Sequence, residues 1–171
     1  MVLGGAGVIK FPTTPVPSID PNTLDDYEEG TWTGVLGMHS TYTTTSGVPN
    51  VTTSALGRYT KVGQLCQISI YFDVTAYSNH VAYNITGLPF TSGSSGNGYP
   101  LAMGHQRGIR FVYATDIITD HTQSATVGVT STQINLQGSH NGTAYSGWYY
   151  ISNEPTQSKY ISVNGVYVTA V

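Results

Sequence analysis

The sequence predicts an all-β fold, an antiparallel β-sandwich of jelly-roll type with an extended N-terminal arm, and three observations carry the prediction. Apolar and polar residues alternate from Thr31 onward, which sends successive side chains to opposite faces of a strand. Ser and Thr make up 40 of the 171 residues, and 13 Tyr stand against four Phe and two Trp; Thr and Tyr fit a pleated, half-buried surface. Lys and Glu, the usual covering of exposed helices, occur only three times each.

Residues 1–23 form the arm. Gly4, Gly5 and Gly7 precede Pro12, Pro15, Pro17 and Pro21, and each Pro fixes φ and removes a backbone donor, so an extended, polyproline-like segment is expected. The apolar residues Val8, Ile9, Phe11, Val16 and Ile19 have no use in a tail meant only for solvent, so the arm is expected to lie on a neighbouring subunit or partner. Residues 24–171 form the body. Its clearest strand is Leu65–Thr75, with Cys66, Ile68, Ile70, Phe72 and Val74 on one face. Arg58–Val62 pairs with it through a hairpin at Gly63-Gln64. Further strands are expected over Thr33–Thr43, Val81–Thr86, Leu101–Gly104, Ile109–Thr115, Ala125–Thr130, Gln133–Leu136, Gly147–Ser152 and Lys159–Ala170. Along the last, Ile161 and Val163 share odd parity while Val166 and Val168 are even. That change of phase predicts a bulge at Asn164-Gly165 within one long strand, the alternative being a hairpin turn there. Asp116–Gln123 reads as one helical turn or a loop.

Composition excludes several classes. A net charge of −3 from six cations and nine anions does not suit nucleic-acid binding, which needs clustered Lys and Arg. No apolar run reaches membrane-spanning length, and the first ten residues lack the basic start of a signal peptide. The single Cys66 lies in an apolar alternation and reads as a buried, inert thiol.

The search for chemistry finds little. Asp25, Asp26, Glu28 and Glu29 hold four of the nine carboxylates within five residues. Neighbouring acids do not span a glycosidase cleft, and their spacing matches no calcium loop. They read as a charged turn that pairs with Arg58 or Lys61, with a cation site and a partner contact as alternatives. The five His show no zinc spacing, no Ser lies in a nucleophile elbow, and no phosphate-binding glycine loop is present. No enzyme activity, metal or cofactor is expected. Tyrosines are the stronger lead: Tyr42, Tyr71, Tyr77, Tyr83, Tyr99, Tyr113, Tyr145, Tyr149 and Tyr150, with Trp148, suit protein interfaces first and sugar platforms second. Three Asn-X-Thr triplets, at Asn50, Asn84 and Asn141, match the glycosylation pattern, as expected by chance in a Thr-rich chain.

Several stretches together resemble a known domain. They are Lys10–Ser18, Asn22–Thr33 with its Asp-Asp-Tyr-Glu-Glu-Gly-Thr-Trp-Thr run, Gly57–Gly63, Ile85–Phe90 and the closing Tyr160–Tyr167. They look like the β-domain of tailed-phage virion proteins, found in capsid decoration proteins and at the ends of tail fibres. The resemblance covers residues 8–90 well and the C-terminal strand loosely, and Gly34 departs from it where Pro is expected. It implies a homotrimer in the virion. Of the two roles, decoration is the expectation: no coiled-coil heptads or anchoring shaft precede the body, and a cement protein needs only a body and a clamping arm. The partner would be the major capsid protein, with shell stabilisation by selective binding to the assembled state and strand pairing by the arm. Partner contacts are expected at Ile9, Phe11, Val16, Ile19, Asp25, Asp26, Tyr27, Glu28, Glu29 and Trp32. The alternative is a tail-fibre or tailspike tip that binds cell-surface carbohydrate. A polysaccharide depolymerase is a more distant rival.

Overall fold

The computed structural model describes residues 2–4, 8–10, 27–38, 53–74, 78–81, 83–94, 96–107, 109–113, 116–117, 122–140, 143–146, 149–151 and 159–170. Their regular elements are all strands: β1 (Val2–Gly4), β2 (Val8–Lys10), β3 (Tyr27–Met38), β4 (Thr53–Val62), β5 (Leu65–Val74), β6 (Ser78–Val81), β7 (Tyr83–Thr86), β8 (Tyr99–Arg107), β9 (Ile109–Tyr113), β10 (Asp116–Ile117), β11 (Thr122–Val127), β12 (Gln133–His140), β13 (Thr143–Ser146), β14 (Tyr149–Ile151) and β15 (Lys159–Val168).

The all-β, antiparallel expectation holds, but the sandwich or jelly roll does not. Strands β3-β4-β5-β15-β8-β11-β12-β7 follow one another in a ring that closes from β7 back to β3, an eight-stranded antiparallel barrel. The closing strand is β11. Ala125 pairs with Leu101 of β8 on one side and with Leu136 of β12 on the other. In a sandwich those two neighbours would be edges of separate sheets. Alternation alone does not separate the two architectures, because an inward residue of a barrel and an inner-face residue of a sandwich share one period. Outside the ring, β13 extends β12, and β10-β9-β14-β6 form a second sheet.

The β4–β5 hairpin forms as expected. Gly63 takes φ +56° in the turn, and Lys61 and Val62 pair with Cys66 and Leu65. Every even residue of β5 from Cys66 to Val74 is buried and every odd one exposed. The interior of a barrel this size is just wide enough for side chains to fill. Here Leu36, Ile68, Ile70, Phe72, Ile85, Val127, Ile134, Leu136, Ile161 and Val163 fill it as one cluster. Strand β4 contributes small inward residues, Ala55 and Gly57, and that is where the indole of Trp32 lies. Gly34 has the same logic: a Cβ there would overlap Ile70 Cδ1 and come within 2.9 Å of the Trp32 ring. The position where the resembling domains suggest Pro is thus occupied by the one residue that leaves the indole room.

Strand β15 corrects a second expectation. It is a single strand, paired with β5 without a break from Lys159↔Val74 to Val168↔Leu65. The buried positions stay odd throughout, from Ile161 and Val163 to Tyr167, and Val166 faces solvent at 47% exposure. There is no phase change at Asn164-Gly165. Gly165 occupies an inward position whose Cβ would approach Leu101 Cδ2 to 2.7 Å, and Tyr167 supplies the next inward ring. The register does shift, but against β8, between Ile161 and Val163.

One mouth of the barrel is stoppered by the segment Leu88–Gly93. Gly87, at φ +88°, turns the chain off β7 with its α-carbon face against Thr33 O. The segment is then sewn down by backbone hydrogen bonds from Leu88 N to Thr132 O (3.1 Å), Ser92 N to Ser131 O (2.9 Å), Gly93 N to Val168 O (2.8 Å) and Ala170 N to Thr91 O (2.9 Å). The Tyr167 hydroxyl donates to Phe90 O (2.9 Å) and accepts from Phe90 N (3.3 Å). The Phe90 ring meets Tyr59 edge-on at 5.3 Å.

Within residues 1–23 the described strands are β1 and β2, which pair antiparallel as a short hairpin from Val2↔Lys10 to Gly4↔Val8, a regular element that the arm was not expected to contain. Phe11, Val16, Ile19, Asp25 and Asp26 lie outside the described residues, as do Gly147, Trp148 and Ser152 of the expected strand Gly147–Ser152.

Candidate interaction surface

With the interior filled, the outward faces of the barrel strands are what the fold offers to a partner. On β3, β4, β5 and β15 these are registered into transverse rows. The row nearest the stoppered mouth is apolar: Tyr27↔Val62, Val62↔Leu65 and Leu65↔Val168 are cross-strand pairs. Tyr27, Val62 and Leu65 are 38%, 39% and 55% exposed. The next row is Glu29, Thr60, Gln67 and Val166; the third is Thr31, Arg58, Ser69 and Asn164. Towards the opposite mouth, Tyr71 and Tyr160 stack with centroids 5.9 Å apart and 26° between their planes. An exposed Leu56 adds apolar surface to β4. The face combines aliphatic, aromatic and short polar side chains, the kinds of residue found at protein interfaces.

The described part of the acidic run separates into two roles. Tyr27, Glu28 and Glu29 belong to the first turn-free stretch of β3 and not to a turn. Glu28 points inward and meets the Lys61 ammonium at 3.9 Å, one of the two pairings expected from sequence. Lys61 is itself buried and lies 5.3 Å from the Phe90 ring centroid. Its charge is therefore held between a carboxylate and an aromatic face. Glu29 points outward and accepts a 2.9 Å hydrogen bond from the Tyr27 hydroxyl, which raises the Tyr27 pKa above its ordinary value, through the bond first and the carboxylate charge second. Trp32 is only 5% exposed. Its ring packs on Gly34 and Gly57, so it contributes to a partner contact only by shaping the sheet. Ile9 lies on β2 opposite Leu3.

Sequence reasoning missed the outward apolar row and the Tyr71–Tyr160 stack as units. Each residue was visible, but the row is defined by register across four strands. Among the described residues no group of three His, Cys, Asp or Glu could hold a metal ion. Asn84, in one Asn-X-Thr triplet, is buried with its amide donating to Gln133 Oε1 at 2.8 Å, so it is not placed to carry a glycan.

Cys66 is fully buried in the barrel. Burial pushes its thiol pKa up, against smaller lowering effects of Tyr167 and Lys61. Alkylation of the native protein by iodoacetamide at mildly alkaline pH is therefore expected to proceed only as fast as the barrel opens. Labelling at the rate of a free thiol would show that the strand does not face inward.

Neither a protein-family model nor any curated protein matches this chain. Its fold does have a solved counterpart. The Dettilon tailspike protein (gp208) superposes with a TM-score of 0.54 at 16% sequence identity, over 83% of this chain and 24% of that chain. The chain thus spans about a quarter of the tailspike's length, and at this identity the likeness is one of fold. The class defined is a closed antiparallel β-barrel of a kind carried by a phage virion structural protein.

Proposed function

We propose that this chain is a virion structural domain of the tail-fibre or tailspike kind, which associates with copies of itself and contacts carbohydrate on the host cell surface. The observation that carries the reading is the barrel shared with a tailspike. A filled interior leaves the outer faces of the strands as the place for binding. The apolar row Tyr27–Val62–Leu65–Val168 supports self-association, and the homotrimer implied by the resemblance is the arrangement we assign to it. In a chain with so few charges, such a row gains most of its binding energy from excluded water.

Capsid decoration, the sequence-based expectation, places the same type of domain on the shell with the major capsid protein as partner. The tailspike likeness favours the tail. Electron microscopy of virions carrying the gold-labelled protein, together with binding of the purified chain to an array of bacterial surface oligosaccharides, tests the choice. Gold at the tail and glycan binding are expected. Gold distributed over the head, with affinity for empty shells and none for glycans, would overturn the reading in favour of decoration.

A further inference from the structure

We propose that the Tyr71–Tyr160 ledge is a binding site for a neutral pyranose oligosaccharide. The assignment rests on the carbohydrate-contacting role above and gives it a location. Tyr71 is 51% exposed although it stands mid-sheet on β5. Its ring is held in stack with Tyr160 from the neighbouring strand, so a flat aromatic face is fixed in place before any ligand arrives. Beside the ledge the surface is low. Gly104 and Ala102 bring no bulk: a Cβ on Gly104 would crowd Ser162 Oγ and lie 3.5 Å from Asn164 Nδ2. The result is an aromatic shelf along a floor of Ser162, Asn164 and glycine, with the outward Asp73 at its end.

This set matches one ligand chemistry. A pyranose presents an apolar face of C–H bonds that stacks on a ring, and a rim of hydroxyls that need both donors and acceptors. The Asn164 amide supplies both, and the Asp73 carboxylate accepts from two neighbouring hydroxyls. Among the side chains described at the ledge, Asp73 is a carboxylate and none is a cation, which disfavours phosphate and polyanionic chains. The apolar row at the other end of the face lacks the polar set and suits protein instead.

The test uses the whole chain. The wild type is screened on an array of bacterial surface oligosaccharides, and the strongest neutral binder is titrated against wild type, Tyr71→Ala, Asp73→Asn and the control Val129→Ser, an exposed position in the turn between β11 and β12. Loss of the exposed Tyr71 ring is expected to weaken binding about tenfold, or about 1.4 kcal/mol, with the melting curve unchanged. Asp73→Asn is expected to weaken it less, and Val129→Ser to leave it as it was. If the wild type binds and Tyr71→Ala binds equally well, the site lies elsewhere while the carbohydrate reading stands. If the wild type binds no glycan, both fall. If Tyr71→Ala abolishes self-association in sedimentation and leaves glycan affinity intact, the ledge joins copies of the chain and the proposal is overturned.

Discussion

Trp32→Ala is expected to lower the unfolding free energy by about 4 kcal/mol. The indole is 5% exposed, in the same buried cluster as Ile70, and removing it leaves a cavity that a closed ring of strands has little freedom to collapse. The reciprocal change, Gly57→Ala, is expected to cost about 2 kcal/mol for the opposite reason, overpacking. Its Cβ would overlap Trp32 Nε1 and come within 2.9 Å of Ser69 O on the adjoining strand. The two sites share one volume, so their costs should not add. In the Trp32→Ala background the two closest approaches, both to the indole, are gone and the one to the Ser69 carbonyl remains, and a coupling of at least about 1 kcal/mol is expected in a double-mutant cycle. Denaturant unfolding of the four proteins measures it. Strict additivity would mean that the indole and the glycine do not meet.

Tyr167→Phe is expected to cost about 2 kcal/mol and to loosen the stopper before it loosens the barrel. The hydroxyl serves both Phe90 N and Phe90 O, and a phenyl ring leaves the two without that partner inside the mouth. Hydrogen exchange should accelerate over residues 88–93 and stay slow in β5. The same residue predicts an alkaline limb. Burial first, then the Cys66 thiol beside it, raises the Tyr167 pKa far above its ordinary 10.0, and Cys66 is raised above its ordinary 9.0. In both cases the native state keeps a proton that the unfolded chain releases. The native state therefore holds more protons than the unfolded chain, and stability falls as pH rises through about 9 for Cys66 and about 10 for Tyr167, by up to about 1.4 kcal/mol per pH unit for each group. Well below pH 9, near neutrality, neither contributes appreciable slope. Tyr167→Phe removes the second contribution, so its stability should decline less steeply above pH 10 than that of the wild type. Parallel curves would show that the phenol ionises freely in the folded protein.

Much of this barrel can be read from residues alone. The alternation Cys66–Val74 names the inward face of β5 residue by residue, and Gly63 marks the turn that returns β4 to it, because a strand has only two faces and a tight reversal needs an unhindered backbone. A pairing of the acidic run with Arg58 or Lys61 was likewise open to inspection, and register between β3 and β4 puts Glu28 opposite Lys61.

Other features needed the third dimension. At β15 the sequence pattern weighs Val166 and Val168 as core and Tyr167 as surface, yet Tyr167 is the buried ring. What reverses them is Leu101 on the neighbouring strand β8, which fills the space over Gly165, and Phe90, which offers the phenol its two bonds. Trp32 looked like a partner contact for the same reason: no local rule says that Gly57, twenty-five positions on, will leave a slot for it.

The chain by itself determined that it would be built of antiparallel strands and which residues of those strands would seek shelter. Only tertiary structure decided that the sheet closes on itself through β11, that the tyrosines at 71 and 160 meet as a ledge, and that four apolar residues from four strands fall in one row. Strand periodicity is a local property of covalent geometry, whereas closure and register are set by which distant side chains fill the same space.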